Sequence, residues 1–139
     1  MKSNGPRLED FQQAAELRAA LRHFLRSSEQ VARKHRLTPQ RYTLLLMIKG
    51  APDGSQRSTV TELSRRLQLA QSTVTELVRR AENVGLIARE PSATDGRVAY
   101  LRITAEGERR LAGAVGDLGL EQRRLGDVLG DNHPSRSRR

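Results

Sequence analysis

The sequence predicts a mainly α chain with one small β-hairpin, an α+β domain of 139 residues. Three observations predict it. Apolar residues recur at three- and four-residue steps over most of the length. A single short run, Val98 to Ile103, alternates with period two and follows an Asp-Gly pair. Hydroxyl residues stand at Thr38, Thr59 and Thr104, each opening a helical pattern.

Residues 1–6 read as a frayed terminus. Leu8 to about His35 reads as one long helix, with Leu17, Leu21, Phe24, Val31 and His35 on one face and Ser28 interrupting it. His35 then serves as a cation at the helix C-terminus. Thr38-Pro39 is a helix start, a hydroxyl at the N-cap followed by proline at the first position. That second helix runs through Tyr42 and the Leu44–Ile48 run to Gly50, and its nearly all-round apolar surface places it at the centre of the core.

Residues 51–55 form a loop. Thr59 and Glu62 have capping-box spacing and open a short helix carrying Leu63 and Leu67. Leu69 and Ala70 make a tight connection. A further helix follows from about Gln71 to Asn83, with Val74, Leu77, Val78 and Ala81 inward and Gly85 ending it. Leu86–Glu90 and Arg97–Ile103 then pair as a hairpin whose longer loop projects. Thr104 caps a last helical region with a Leu111, Val115 and Leu118 seam, continued loosely by Leu125, Val128 and Leu129. Gly113, Gly116 and Gly119 each weaken it by up to about 1 kcal/mol relative to Ala, so it either packs against something or breaks near Gly119. Residues 131–139 are polar and basic and read as a disordered tail.

Lys plus Arg is 25 against 16 Asp plus Glu, a net charge of +9. Such an excess suggests a polyanion partner, most simply nucleic acid. Aromatic residues are only Phe11, Phe24, Tyr42 and Tyr100, so the stacking platforms that grip single strands are nearly missing and a duplex is favoured. The excess is concentrated in residues 1–57 (net +6), not in the helix-hairpin segment. Cysteine is absent, which excludes disulfides, thiolate metal sites and cysteine redox chemistry. With three histidines and no cysteine, no metal or other cofactor is expected. There is no spanning apolar run and no signal core, so a cytoplasmic protein without a membrane partner is expected. No nucleophile elbow, Gly-rich phosphate loop, His pair at metal spacing or inward carboxylate pair stands out, so an enzyme is not expected.

Helix, tight turn, helix and projecting hairpin is the order of a winged helix-turn-helix. With the apolar residues of the 71–83 helix turned to the core, Gln71, Ser72, Thr73, Thr75, Arg79 and Arg80 are left outward, available to a major groove. Glu76 shares that face. It either pairs with Arg79 or Arg80, the favoured reading, or accepts from a cytosine amino group. The hairpin tip would carry Arg97 to a minor groove or the backbone. Thr59 lies at a helix start, where backbone amides bind phosphate. For Arg89, phosphate contact and simple exposure weigh equally. Arg18, Arg22 and Arg26 form a like-charged row, read first as a solvated face. The alternative is that Arg22, with His23 and Tyr42, lines a pocket for an anionic aromatic effector.

The sequence resembles the MarR family of bacterial transcriptional regulators from about Leu37 to Leu111. The resemblance is carried by Leu-Thr-Pro-Gln-Arg-Tyr at 37–42, Thr-Val-Thr-Glu-Leu at 59–63 and Gln-Ser-Thr-Val-Thr-Glu-Leu-Val at 71–78. Gly-Leu-Ile-Ala-Arg at 85–89, Asp95-Gly96-Arg97 and Leu-Arg-Ile-Thr-Ala-Glu-Gly at 101–107 complete it. Order and spacing together make it specific. The resemblance implies a single domain over residues 1–139: a winged lobe at 37–103 and a helical dimerisation region at 7–36 and 104–130. It implies a homodimer reading a palindromic operator in double-stranded DNA, usually a repressor relieved by a small phenolic or anionic ligand. It implies that Asp95 orients Arg97 by a salt bridge and that Arg97 contacts DNA. Ala70 departs from the polar cap that family members often carry, which would start the reading helix later, on Ser72 or Thr73. Two other readings stay open: a winged-helix module that docks proteins, and an architectural binder without base preference.

Overall fold

A computed structural model describes residues 4–92, 94 and 96–131. In chain order these form α1 (Leu8–Lys34), α2 (Pro39–Lys49), α3 (Val60–Leu67), α4 (Gln71–Asn83), β1 (Ile87–Pro91), β2 (Ala99–Ile103) and α5 (Ala105–Asp131). The chain is mainly α, with one two-stranded antiparallel hairpin running in register from Ile87 opposite Ile103 to Pro91 opposite Ala99. It divides into two compact units. One is Ala32–Val115; the other takes the outer parts of α1 and α5, up to Val31 and from Gly116 onward.

In the Ala32–Val115 unit, α2 forms the centre. Leu44, Leu45 and Ile48 are almost wholly buried, and α2 touches α3, α4 and β2. Thr38 caps it, its Oγ1 accepting from the Arg41 N–H at 3.2 Å. Thr59 caps α3 in a modified way. Its hydroxyl accepts from the Glu62 N–H at 3.2 Å and donates to the Glu62 carboxylate at 3.0 Å, so the carboxylate takes the hydroxyl proton and not the backbone one. α1 ends one residue before the expected His35. Leu37 N–H closes onto Ala32 O at 2.9 Å and Arg36 N–H onto Arg33 O at 3.0 Å, with Arg36 left-handed at φ 62°.

The end of α4 positions everything after it. Gly85 takes φ 78°, its N–H bonds Glu82 O at 3.0 Å, and Leu86 N–H bonds Ala81 O at 2.9 Å. This six-to-one closure needs a residue without a Cβ penalty, and it brings the buried Leu86 onto the buried Ala81. Thr104 then locks the corner. Its N–H donates to Leu86 O (3.0 Å), and its hydroxyl donates to Gly85 O (2.6 Å) and accepts from Gly107 N–H (3.1 Å).

Four points differ from the expectations above or add to them. First, α5 does not break near Gly119; it is one 27-residue helix. Leu111, Ala114 and Leu118 form its buried seam, with Ala114 in place of Val115, and this burial outweighs the weak glycine propensity. Gly113 is also a steric need, since a Cβ there would lie 2.5 Å from His35 Nδ1. Second, β2 begins at Ala99, so Arg97 lies in the connection and not in the strand. Third, Ser58 joins the sheet as an isolated bridge to Leu101, with bonds of 3.1 and 2.7 Å. Fourth, α4 starts at Gln71 despite Ala70, because Ala70 already has the extended backbone of an N-cap (φ −61°, ψ 148°).

In the second unit Leu118 is wholly buried, while Leu8, Phe11, Leu21, Leu25, Leu120 and Leu129 are exposed. His23 Nε2 lies 3.7 Å from the Glu121 carboxylate. Of the tail expected at 131–139, Asp131 instead ends α5, and residues 132–139, like the first three residues, lie outside the described residues. No described helix is long and apolar enough to cross a membrane.

Gly107 tests the corner. A Cβ there would sit 2.6 Å from Leu86 O, a backbone atom with no room to yield. Gly107→Ala is expected to lower unfolding free energy by about 1–3 kcal/mol in urea titration. An unchanged midpoint would show that the Leu86 carbonyl can retreat.

Candidate nucleic-acid interface

The outward face of α4 follows from its buried one. Val74, Val78 and Ala81 are fully buried, which fixes the rotation of the helix about its axis. Leu77, expected inward, is only half-buried; it faces an open depression of about 150 Å³ shared with Thr38, Gln40, Arg41 and Arg80. Gln71, Ser72, Thr73, Thr75, Arg79 and Arg80 are all exposed. No side chain caps the first turn of α4, so its leading amides point outward without a side-chain acceptor. α3 packs along α4 and braces it, with Gln71 Nε2 at 3.5 Å from Thr61 Oγ1.

Glu76 takes the intrahelical pairing that the sequence favours. Arg79 Nε and Nη2 donate to its two carboxylate oxygens at 3.1 and 2.5 Å, and Arg80 Nε donates at 2.9 Å. Hydrogen bonds from Arg79 and then Arg80 hold the carboxyl down at about 2, from an ordinary 4.5.

The hairpin adds a second surface. Thr59, Thr61, Arg89 and Arg97 line one open depression of about 240 Å³ between the start of α3 and the hairpin. Three side chains that the sequence nominated separately are thus brought together. Arg97 is exposed in the connection. Arg89 is anchored, its Nε donating to both oxygens of Glu82 on α4 at 2.9 and 3.1 Å. The proposed Asp95 salt bridge to Arg97 lies outside the described residues, because Asp95 does.

A cluster that sequence reasoning did not find sits on the same hairpin. Glu90 accepts from Arg57 Nη1 and Arg102 Nε, each at 3.0 Å, and the Arg57 guanidinium stacks 4.2 Å above the Tyr100 ring. Hydrogen bonding from Arg102 leads the forces that keep the Glu90 carboxyl below its ordinary range. The signal was in the register: Glu90 stands opposite Tyr100, with Arg102 diagonal to it. Arg57 came from a loop and left no such signal.

The nominated effector trio is not brought together within one unit. Arg22 and His23 stand on α1 before Val31, both exposed; Tyr42 is buried in the Ala32–Val115 unit, and that burial raises its phenol pKa. Among the described residues, no group of three His, Cys, Asp or Glu side chains could hold a metal ion.

A family model described as the MarR family matches residues 36–98, the span that contains α2, α3, α4 and the hairpin connection. The transcriptional regulator HosA of Escherichia coli O111:H- is 32% identical over 97 residues, covering 68% of each chain. The chain belongs to the MarR family. HosA of Escherichia coli O127:H6 is 34% identical over 79 residues, covering 57% of this MarR-family chain and 56% of its own length. The fold is shared more widely. AbsC, a MarR-family transcriptional regulator from Streptomyces coelicolor, superposes with a TM-score of 0.71 at 17% identity, covering 96% of this chain and 87% of its own. A mutant MarR from E. coli complexed with operator DNA superposes at 0.65 and 18% identity, over 86% and 85% of the two chains.

The paired carboxylate of this MarR-family helix gives a pH test. Its folded-state pKa is depressed, so the ion pair is fully present above the ordinary 4.5 and is lost only as pH falls through about 2. A carbon-detected NMR titration of Glu76 should give a midpoint near 2, rising toward 4.5 in an Arg79→Ala, Arg80→Ala double variant. A midpoint that does not move would assign the depression to another cause.

Proposed function

We propose that this chain is a sequence-specific, double-stranded-DNA-binding transcriptional regulator that acts as a homodimer in the cytoplasm. The single observation that carries the reading is the division of α4: Val74, Val78 and Ala81 locked inside, with Thr73, Thr75, Arg79 and Arg80 presented together outside. Such a rod enters a major groove, and residues near its start reach base edges. The depression holding Thr59, Arg89 and Arg97 suits phosphate or a minor-groove edge beside it. Similarity of fold to a MarR protein complexed with operator DNA supports the same use.

The dimer is supported by the apolar side chains left uncovered on the outer parts of α1 and α5, among them Leu8, Phe11, Leu25 and Leu129. In this reading, residues 37–103 form the DNA-reading lobe, and residues 7–36 and 104–130 join two copies. Two α4 helices about 34 Å apart then read a near-palindrome. Repression relieved by a small anionic or phenolic ligand completes the reading. Arg22, His23 and Tyr42 are its candidate ligand contacts, with Asp95 orienting Arg97.

Footprinting on the DNA upstream of its own gene should protect two half-sites one duplex turn apart. A protein that binds all duplexes alike, with no shift surviving competitor DNA, would be a docking module or an architectural binder instead. Light scattering should return about twice 15.6 kDa; a monomer at micromolar concentration would contradict the dimer. Arg97→Ala should weaken operator binding and flatten its salt dependence by about one counterion. Affinity and slope that match the parent across a salt series would remove Arg97 from the interface.

A further inference from the structure

Glu76 is the one carboxylate on the outward face of α4. Glu76 is partly exposed, as are Arg79 and Arg80, with 42%, 57% and 63% of each side chain accessible. Ion pairs this exposed contribute little to stability. They do occupy guanidinium donors that a base could take. A guanidinium reads guanine by placing two parallel N–H groups on O6 and N7. Arg79 already commits such a pair, Nε and Nη2, to the two oxygens of Glu76. Arg80 commits its Nε to the same carboxylate.

When α4 meets a duplex, two things can follow. The arginines stay on Glu76 and that donor edge is lost to the bases, or they leave and a bare carboxylate faces phosphates. Two base edges offer an amino donor there, adenine N6 and cytosine N4. The N7 acceptor beside adenine N6 repels the carboxylate's second oxygen, so cytosine removes the second penalty best. Cytosine N4 is an amino donor in the major groove, and a carboxylate accepts from it.

Resting on the reading of α4 given above, we propose that Glu76 is a specificity-determining residue. It holds Arg79 and Arg80 off indiscriminate DNA, and it releases them where a cytosine amino group replaces their N–H donors. Each half-site of the preferred duplex therefore carries a C·G pair beneath Glu76, next to a guanine available to Arg79. The rule is one of exclusion as much as of attraction.

The test is selection of duplexes from a random pool by the full chain and by Glu76→Gln, which keeps the shape and removes the charge. The selected duplex and a scrambled one are then titrated at one fixed salt concentration. The parent motif is expected to contain the C·G pair. Glu76→Gln should lose that preference or trade it for adenine, while the other positions persist. It should also bind the scrambled duplex about tenfold more tightly, narrowing the ratio between the two. Glu29→Gln, which removes an equal charge from α1, should leave motif and ratio unchanged. If Glu76→Gln selects the parent motif with the parent ratio, or if Glu29→Gln narrows the ratio equally, the proposal is overturned. If the parent itself enriches no motif, the reading of α4 as a base-contacting helix fails and takes this one with it.

Discussion

The corner where α4 ends is the constraint on which the rest depends. Gly85 turns the chain through a left-handed residue, Leu86 drops into the core, and Thr104 ties both carbonyls to the start of α5. The hairpin leaves from the next residue, Ile87. One cluster of hydrogen bonds therefore sets where α4 stops, where the hairpin begins and where α5 starts. Ala81, Leu86 and Gly107 are buried, so loss of their bonds would leave backbone groups with little solvent to replace the partner. Within this unit, the surface of α4 and the surface of the hairpin are positioned together for that reason.

A net charge of +9 says little about how this surface works. Carboxylates are set among arginines on both α4 and the hairpin: Glu76 with Arg79 and Arg80, Glu82 with Arg89, Glu90 with Arg57 and Arg102. Each pairing orients a guanidinium that would otherwise sweep a wide arc on a flexible stem. Each also takes up donor capacity that a nucleic acid would use. Placement rather than abundance of charge distinguishes this face, and composition cannot report placement.

The helices were legible because their ends carry local chemistry. Thr38, Thr59 and Gly85 satisfy backbone groups within a few residues of themselves, so spacing alone reveals them. Features closed by distant partners were not legible. The Ser58 bridge needs Leu101, and nothing around residue 58 shows period two. The glycines of α5 read as weakness, yet Gly107 and Gly113 mark where the Leu86 carbonyl and the His35 ring approach the helix. Propensity cannot see such neighbours. At the candidate site, the outward residues of α4 followed from the apolar ones, since a helix has only one rotation that buries Val74, Val78 and Ala81 together. The meeting of Thr59, Arg89 and Arg97 required the hairpin to fold back on α3. The separation of Arg22 and His23 from Tyr42 into different units required the fold as well.

Ala70 leaves the mouth of α4 unfinished. A serine or aspartate there would close the first turn on itself and steady it by about 1 kcal/mol. It would also fill the amide hydrogens that now face outward. Self-sufficiency and receptivity compete for the same few protons, and a methyl group at this position keeps them unspent.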